Sequence, residues 1–342
     1  MVEVGIDSFA ALMPGSAEEP IPVPHERMKH LLEEIETADR SGVHAFGVGE
    51  HHRKEFIDSA PVVILAAAAA RTSRIKLHTA VSVLGAIDPV RLFQEFATLD
   101  LLSQGRAEIV VGRGSSIEAY PLFGLDLQHY DHLFAENLDL LLHLREESHP
   151  HWQGRFRPPL GGQGVFPRPV GELPVWLGVG GTPASFARAG TLGLPLMVAI
   201  IGGTFDRFRP LVDLYRSAGV QAGHPPERLK VGVHAVGFVG RTVEEAKNDF
   251  YPGWHYMWSE LGKERGWPPP SREQFEAMCT DPGAYLIGDP QRVAEKIRHV
   301  DAALGGISRI NLQMSSASGR HQAMLRSIEL LGAEVTSLLD DL

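Results

Sequence analysis

The sequence predicts an α/β protein folded as a (β/α)8 TIM barrel with insertions in the loops at the carboxyl ends of the strands. Three observations lead there. Short β-rich runs alternate with longer helical patterns about eight times along 342 residues. Strands that alternate with helices pair in parallel through right-handed crossovers. The chemically distinctive residues fall at the ends of the expected strands, and closure into a barrel gathers them at one mouth. A doubly wound open sheet is the competing architecture. No linker divides the chain and no short repeat exists beyond the βα unit, so one domain over residues 1–342 is expected.

Residues 2–8 (VEVGIDS) suit a first strand. In 25–42, Leu31, Leu32, Ile35 and Ala38 recur at helical spacing and Gly42 stops the helix. VHAFGVGE (43–50) is the second strand; a helix over 58–71 follows, with Asp58 or Ser59 as its cap and Pro61 in its first turn. The third strand covers 74–84 and the next helix 88–105, with Asp88 at the N-cap, Pro89 at the first position and Gly105 past the end. The fourth strand is 106–114, followed by a helix over 129–147 and a Pro/Gly-rich interlude at 149–172. Strands at 173–181, 194–201 and 229–240 then alternate with helices at 183–190, 204–218 and 242–262. An irregular stretch at 263–288 precedes a helix at 290–303, the last strand at 307–314 and the last helix at 320–340.

Composition narrows the function classes. The charge is −10, with 42 acids against 32 Lys plus Arg, and no basic run reverses it locally. Such a chain does not attract nucleic acid or an anionic membrane by its overall field. A single cysteine, Cys279, excludes an intrachain disulfide. The start, MVEVGIDSFA, lacks a basic, apolar leader, and the apolar run at 61–70 is too short to span a bilayer, so a cytoplasmic protein is expected.

The chemistry lies in three segments. FGVGEHH (46–52) sets Glu50, His51 and His52 side by side at the end of the second strand. No HExxH accompanies them and Cys279 is remote, so no metal site is expected. GRGSS places Arg113 and Gly114 after the fourth strand, a guanidinium suited to holding phosphate. VWLGVGGTPASFARAG follows an apolar strand with a glycine turn and a helix start, where free N–H groups and the hydroxyls of Thr182 and Ser185 bind anions. Gly178 to Ala184 fit a G-x-G-x-x-A pattern, but no acid ends the next strand to hold a ribose, so the turn reads as a phosphate site and not a dinucleotide site. Together these features suggest a mouth holding a phosphorylated cofactor with the Glu-His-His cluster at its reactive end. Tyr251, Trp254, Tyr256 and Trp258 either cover that mouth or pack an insertion helix.

The segments GVHAFGVGEHHRKEF, DPVRLFQEFATLDLLSQGRAEIVVGRG, PVWLGVGGTPASFARAGTLGLP and GDPQRVAEKI, in this order, resemble the bacterial luciferase-like flavin-dependent oxidoreductases. The resemblance implies FMN at the carboxyl ends of the strands, its phosphate held by Arg113, Gly114, Gly180, Gly181, Thr182 and Ser185. It sets the flavin ring against Thr79, Ala80 and Val81, with a non-prolyl cis peptide at Ala80–Val81. It makes His51 the essential histidine, and Glu50 beside it is expected to orient that imidazole or to tune its pKa. His52, Tyr120, Trp254 and Trp258 are the substrate-contact candidates. The chain departs from the luciferases at Gly112, where they carry a reactive cysteine, and at Gly180-Gly181, where they carry Glu-Ser; light emission is therefore not implied.

The reaction so implied is monooxygenation of a small organic substrate by reduced FMN and O2 through a C4a-peroxyflavin. A separate NAD(P)H:flavin reductase would supply the flavin, and a homo-oligomer is expected. Alternatives are a hydride-transfer enzyme using F420, whose acidic tail would call on Arg53, Lys54 and Arg113, a non-catalytic flavin-binding protein, and a metal-dependent barrel hydrolase. Substrate choice is expected to lie in 115–124 and in the loop before the last strand.

Overall fold

The computed structural model describes residues 2–16, 20–114 and 117–342. Eight parallel strands form the ring: β1 (Glu3–Ser8), β2 (Ala45–Val48), β3 (Lys76–Thr79), β4 (Ala107–Gly112), β5 (Val175–Val179), β6 (Leu196–Ile200), β7 (Val231–Val239) and β8 (Arg309–Gln313). β1 closes it, with Gly5 opposite Ala45 of β2 on one side and Asn311 of β8 on the other. Around the ring lie α1 (Pro24–Ser41), α2 (Pro61–Ala69), α3 (Pro89–Ser103), α4 (Tyr130–Glu146), α5 (Pro183–Thr191), α6 (Arg209–Gln221), α7 (Val243–Arg265), α8 (Pro290–Leu304) and α9 (His321–Leu330). No helix among the described residues is long and apolar enough to cross a membrane.

All the expected strands and barrel helices are present; the differences have local causes. The third strand breaks after Thr79 at a cis Ala80–Val81 peptide, and pairing to β4 resumes at Ser82–Val83. Asp88 caps α3 by accepting from the N–H groups of Val90 and Arg91, as its position demands. Asp58 does not cap α2: the cap position is Ala60, because the Asp58 carboxylate is drawn inward to His51. The interlude at 149–172 holds a small antiparallel hairpin, His151–Trp152 against Leu160–Gly161. The stretch expected to be irregular contains a helix, Arg272–Cys279, started by a Ser271–Gln274 capping box, and a strand, Leu286–Gly288, added beside β7. The last helix widens into a π turn at Leu331–Val335, where Gly332 lies so close to Ser41 that a Cβ would meet its carbonyl oxygen at 2.5 Å.

The two faces of the barrel wall differ. Val4, Ile6, Phe46, Leu77, Ile109, Val111, Val198, Val233 and Leu312 join the helices' Leu31, Ile35, Leu65, Phe96, Leu141, Phe186 and Ile297 in one apolar core. The alternate strand positions face inward; beside a small apolar cluster of Val110, Trp176 and Met197 they carry many polar groups, where barrels ordinarily place branched apolar side chains. In one layer, Arg309 lies over the Trp176 ring at 4.7 Å and pairs with Glu108 and Glu3, while Lys76 also pairs with Glu3. In the next, Asp7, His78, His234 and Asn311 are joined by hydrogen bonds. Inward glycines make the room: a Cβ on Gly5 would meet Asn311 Oδ1 at 2.2 Å, and one on Gly47 would meet Asp7 Oδ1 at 2.2 Å.

Burial would raise the Glu108 carboxyl, but Arg309 overrides it and holds the group down at about 2. A depressed carboxyl contributes stability above its ordinary value near 4.5 and loses it as pH falls towards 2. Arg309→Met is expected to cost about 3–5 kcal/mol in urea unfolding at neutral pH, because buried Glu108 loses its two-point partner and keeps only Lys76 at 3.7 Å. The gap to wild type should narrow through that acid window; a constant gap would show that charge is not the cause.

Candidate functional site

The expected site residues gather where the chain leaves the strands. Beyond β2, the loop carrying Glu50, His51 and His52 forms two carboxylate–imidazole pairs. The His51 Nδ1–H donates to Asp58 Oδ2 at 2.9 Å, and the His51 backbone N–H donates to Asp58 Oδ1 at 3.1 Å. Burial, which outweighs the bonds from His51, pushes the Asp58 carboxyl above the usual range. Two rings hold the imidazole, Phe9 with centroids 4.6 Å away and Phe56 at 4.4 Å. With its proton on Nδ1, His51 turns an Nε2 lone pair away from Asp58. The orienting carboxylate is therefore Asp58, and the expectation that Glu50 performs this task is corrected. Glu50 serves the neighbouring ring: His52 Nε2–H donates to Glu50 Oε1 at 3.3 Å, and the Val83 N–H donates to Glu50 Oε2 at 2.8 Å. The bond to Glu50, the largest influence, raises the His52 pKa. Adjacent side chains in an extended loop diverge, so His51 and His52 reach different carboxylates.

Thr79 ends β3 as a fastener, its hydroxyl donating to the Val110 carbonyl at 3.1 Å and accepting from Ser82 at 3.0 Å. Val81 then fills space left by two glycines: a Cβ on Gly112 or Gly178 would meet its methyl groups at 2.6 and 2.9 Å. This explains glycine at position 112, directly before the expected phosphate arginine.

The two parts of the expected anion site meet. Arg113, from the end of β4, donates to Ser185 Oγ of α5 at 3.3 Å and to Asp131 at 2.6 Å, with its guanidinium 5.5 Å from the Tyr130 ring centroid. Thr182 makes no side-chain cap on α5; in that first turn Pro183 has no N–H and the Ser185 N–H donates to the Thr182 carbonyl at 2.9 Å, so the donors open to a ligand are the Ala184 N–H and the hydroxyls of Thr182 and Ser185. Gly180 and Gly181 are open, and a Cβ on Gly180 would meet nothing within 4 Å. Gly114 takes a φ of 75°, which glycine allows. Asp131 is 70% exposed and its carboxylate can swing into solvent when a phosphate takes its place at the guanidinium. A flat, mostly apolar flavin ring with a phosphate tail fits this combination of cradle and apolar Val81 shelf.

The expected substrate contacts fare differently. His52 meets Phe123 edge-on at 5.2 Å and lines, with Glu50, Ser82 and Phe123, a cleft of about 710 Å³. Tyr120 is fully buried among Val83, Leu133 and Tyr130, not facing a substrate. Trp254 is spent within the insertion, donating to the Tyr285 hydroxyl at 2.9 Å and packing on Phe275 and Trp258. For Trp254 the packing alternative holds. Ser115 and Ser116 of the expected specificity segment lie outside the described residues. Arg53 binds three carboxylates, Glu55, Glu118 and Glu264. Residues missed by sequence are Asp58, Phe9 and Asp131, together with Asp7 and His234 beneath the mouth. For Asp7 and His234 the one sequence signal was a polar residue placed inside an apolar strand. Among the described residues, no group of three or more His, Cys, Asp or Glu side chains is arranged to hold a metal ion.

The family model described as luciferase-like monooxygenase matches residues 4–306. The 4-hydroxyprotoasukamycin monooxygenase of Streptomyces nodosus subsp. asukaensis is 28% identical over 326 residues, spanning 87% of this chain and 83% of that protein. Monooxygenase RslO1 from Streptomyces bottropensis superposes with a TM-score of 0.83 at 24% identity, covering 98% of this chain and 99% of that one. The oxygenating constituent of 3,6-diketocamphane monooxygenase from Pseudomonas putida, solved with FMN, gives 0.78 at 20% identity over 99% and 98% of the two chains. A coenzyme F420-dependent tetrahydromethanopterin reductase from Methanopyrus kandleri gives 0.73 at 18% over 98% and 99%. At these identities the solved structures establish the barrel fold.

The two imidazole pairs predict separable responses to substitution. Glu50→Gln should lower the His52 pKa towards the ordinary value near 6.5 while leaving the His51 signals in place. Asp58→Asn should move the His51 proton from Nδ1 to Nε2, since the new amide donates where the carboxylate accepted. Two-dimensional ¹H–¹⁵N spectra of the imidazoles report both; coupled responses would sink the assignment.

Proposed function

Because this chain belongs to the luciferase-like monooxygenase family, we propose that it is an FMN-dependent monooxygenase acting on a small organic substrate and O2. The observation that supports the reading is the Arg113–Ser185 bond, which joins two segments 72 residues apart that would together form one anion cradle. Arg113, Ser185 and the first turn of α5 would hold the phosphate, and Ala80, Val81 and Gly178 would form the shelf for the ring. Reduced FMN, when bound, supplies the electrons that activate O2. The chain's own work is to place a proton and keep out water. His51 Nε2 is the site from which one proton is given or taken, and Asp58 fixes the tautomer that makes this possible. Phe9 and Phe56 shield the imidazole from bulk water.

FMN is favoured over F420 by charge. An F420 tail is acidic and needs free cations at the mouth. Arg53 is already engaged by three carboxylates, which leaves Lys54 as the exposed cation of that loop. We further propose delivery of reduced flavin by a separate reductase and association of a second copy on the α2–α3 face, where Val63 is 71% and Leu102 57% exposed.

Titration of the purified protein with oxidised and reduced FMN and with F420 tests the cofactor. Arg113→Ala should weaken FMN by about 1–3 kcal/mol, the scale of a lost charge-assisted hydrogen bond. Preference for F420 would replace oxygen chemistry by hydride transfer. Asp58→Asn should slow the proton-dependent step by about 10²–10⁴-fold with FMN affinity kept, and Glu50→Gln by much less.

A further inference from the structure

Phe9 touches the imidazoles of two different carboxylate pairs. His51 lies 4.6 Å from its ring, and His234 of β7 stacks on it at 5.8 Å with an interplanar angle of 16°. Asp7 of β1 backs His234: the Nδ1–H donates to Asp7 Oδ2 at 2.5 Å. The buried layer below fixes the proton positions. The Thr79 carbonyl oxygen only accepts, so His78 Nδ1, 2.9 Å from it, carries its proton, and His78 Nε2 accepts from Asn311 Nδ2 at 3.1 Å. The other Asn311 N–H goes to Asp7 Oδ1 at 3.0 Å. Burial would raise the Asp7 carboxyl, but the hydrogen bond from His234 above all, with that from Asn311, holds it below the ordinary range. The charged and titratable neighbours of His234 are thus Asp7, His78 behind it and His51 across Phe9, while its strand neighbours in register are Ala199 and Asn311.

An ionised Asp7 keeps the His234 proton on Nδ1, so Nε2 carries a lone pair and makes no hydrogen bond among the described residues. The His234 side chain keeps 10% of its exposure where that of Asp7 keeps 1%. The open edge is the one turned from Asp7, towards the mouth that Phe9 walls.

We propose that His234 is a second proton acceptor of the mouth, positioned by Asp7, and that it selects a substrate bearing a hydroxyl group. The inference rests on the monooxygenase reading and names the substrate class for that same site. A lone pair rewards a donor, which a hydroxyl has and an ether or ketone lacks. On transfer the substrate O–H bond breaks and an Nε2–H bond forms. The products are an oxyanion and an imidazolium whose charge Asp7 balances.

The test uses full-length protein, phenol as the hydroxyl probe and anisole as its donor-free twin. The ¹⁵N spectrum of the protein without flavin should show His234 protonated at Nδ1, and phenol should bind about tenfold or more tighter than anisole. His234→Asn keeps a donor to Asp7 but removes Nε2, and should abolish the discrimination. Asp7→Asn should move the proton to Nε2 in the ¹⁵N spectrum and erase the preference, since the oxygens of phenol and anisole both accept from an N–H; that linked tautomer change is a response a purely structural role does not give. Equal binding of the two probes, or a discrimination that survives His234→Asn, would overturn the proposal. FMN titration of the same samples separates the readings: lost FMN binding with intact phenol selectivity fails the flavin assignment alone.

Discussion

Asp7 is a carboxylate at the centre of a protein, and the barrel interior is arranged to keep it charged. An isolated buried carboxylate is costly, so it must be surrounded by donors. Those donors come from across the ring: His234 on β7, Asn311 on β8 and, through Asn311, His78 on β3. Side chains this large meet only if other inward positions give way, which is why Gly5 and Gly47 have no Cβ to offer. The same trade recurs one layer away, where Arg309 neutralises Glu108 and Glu3. The polar interior therefore depends on strand register: a one-residue slip would turn each of these groups out into the apolar layer beneath the helices.

The mouth inherits its geometry from this interior. Phe9 lies two residues after Asp7, so the β1 alternation that sends Asp7 inward also sends Phe9 to the rim, against both His51 and His234. Thr79 is likewise shared, its carbonyl fixing the His78 proton and its hydroxyl tying β3 to β4 immediately before the shelf at Val81. The geometry of the mouth and the stability of the barrel are coupled here through backbone groups, so substitutions in the buried layer reach the mouth.

The order of strands and helices was legible in the sequence because each element carries its own signal: 3.6-residue spacing in α1, the Asp88-Pro89 start of α3, apolar runs in β5 and β6. Legibility failed where the deciding contact was distant. Asp58 reads as a helix cap because Asp before a Pro-led helix often is one; only the folded loop shows that His51 takes it. The Ser271–Gln274 box opens a helix in a segment whose prolines, Pro268 to Pro270, suggest none. Arg113 and Ser185 were each legible as parts of an expected anion site, since glycine turns and guanidinium groups have local chemistry, but their meeting depended on barrel closure. His234 and Asp7 were hidden as single polar residues in apolar strands, where a polar residue reads as a flaw in the pattern unless the strand's inner face is known to be polar.

Arg53 shows how one loop can carry both chemistry and closure. It follows His52 directly, and by sequence it looks like a cation for a ligand's acidic group. Its side chain instead joins Glu118, in the segment after β4, to Glu264, near the end of the long insertion helix α7, with Glu55 of its own loop as a third partner. Exposed ion pairs contribute little singly, but a guanidinium shared among three carboxylates from three segments gains from the network and from its fixed fork of donors. The loop that presents His51 is thereby tied to the insertion on one side and, through Glu50 and the Val83 N–H, to the end of the third strand on the other. Two tethers, one on either side of His51, thus hold the loop that presents its imidazole.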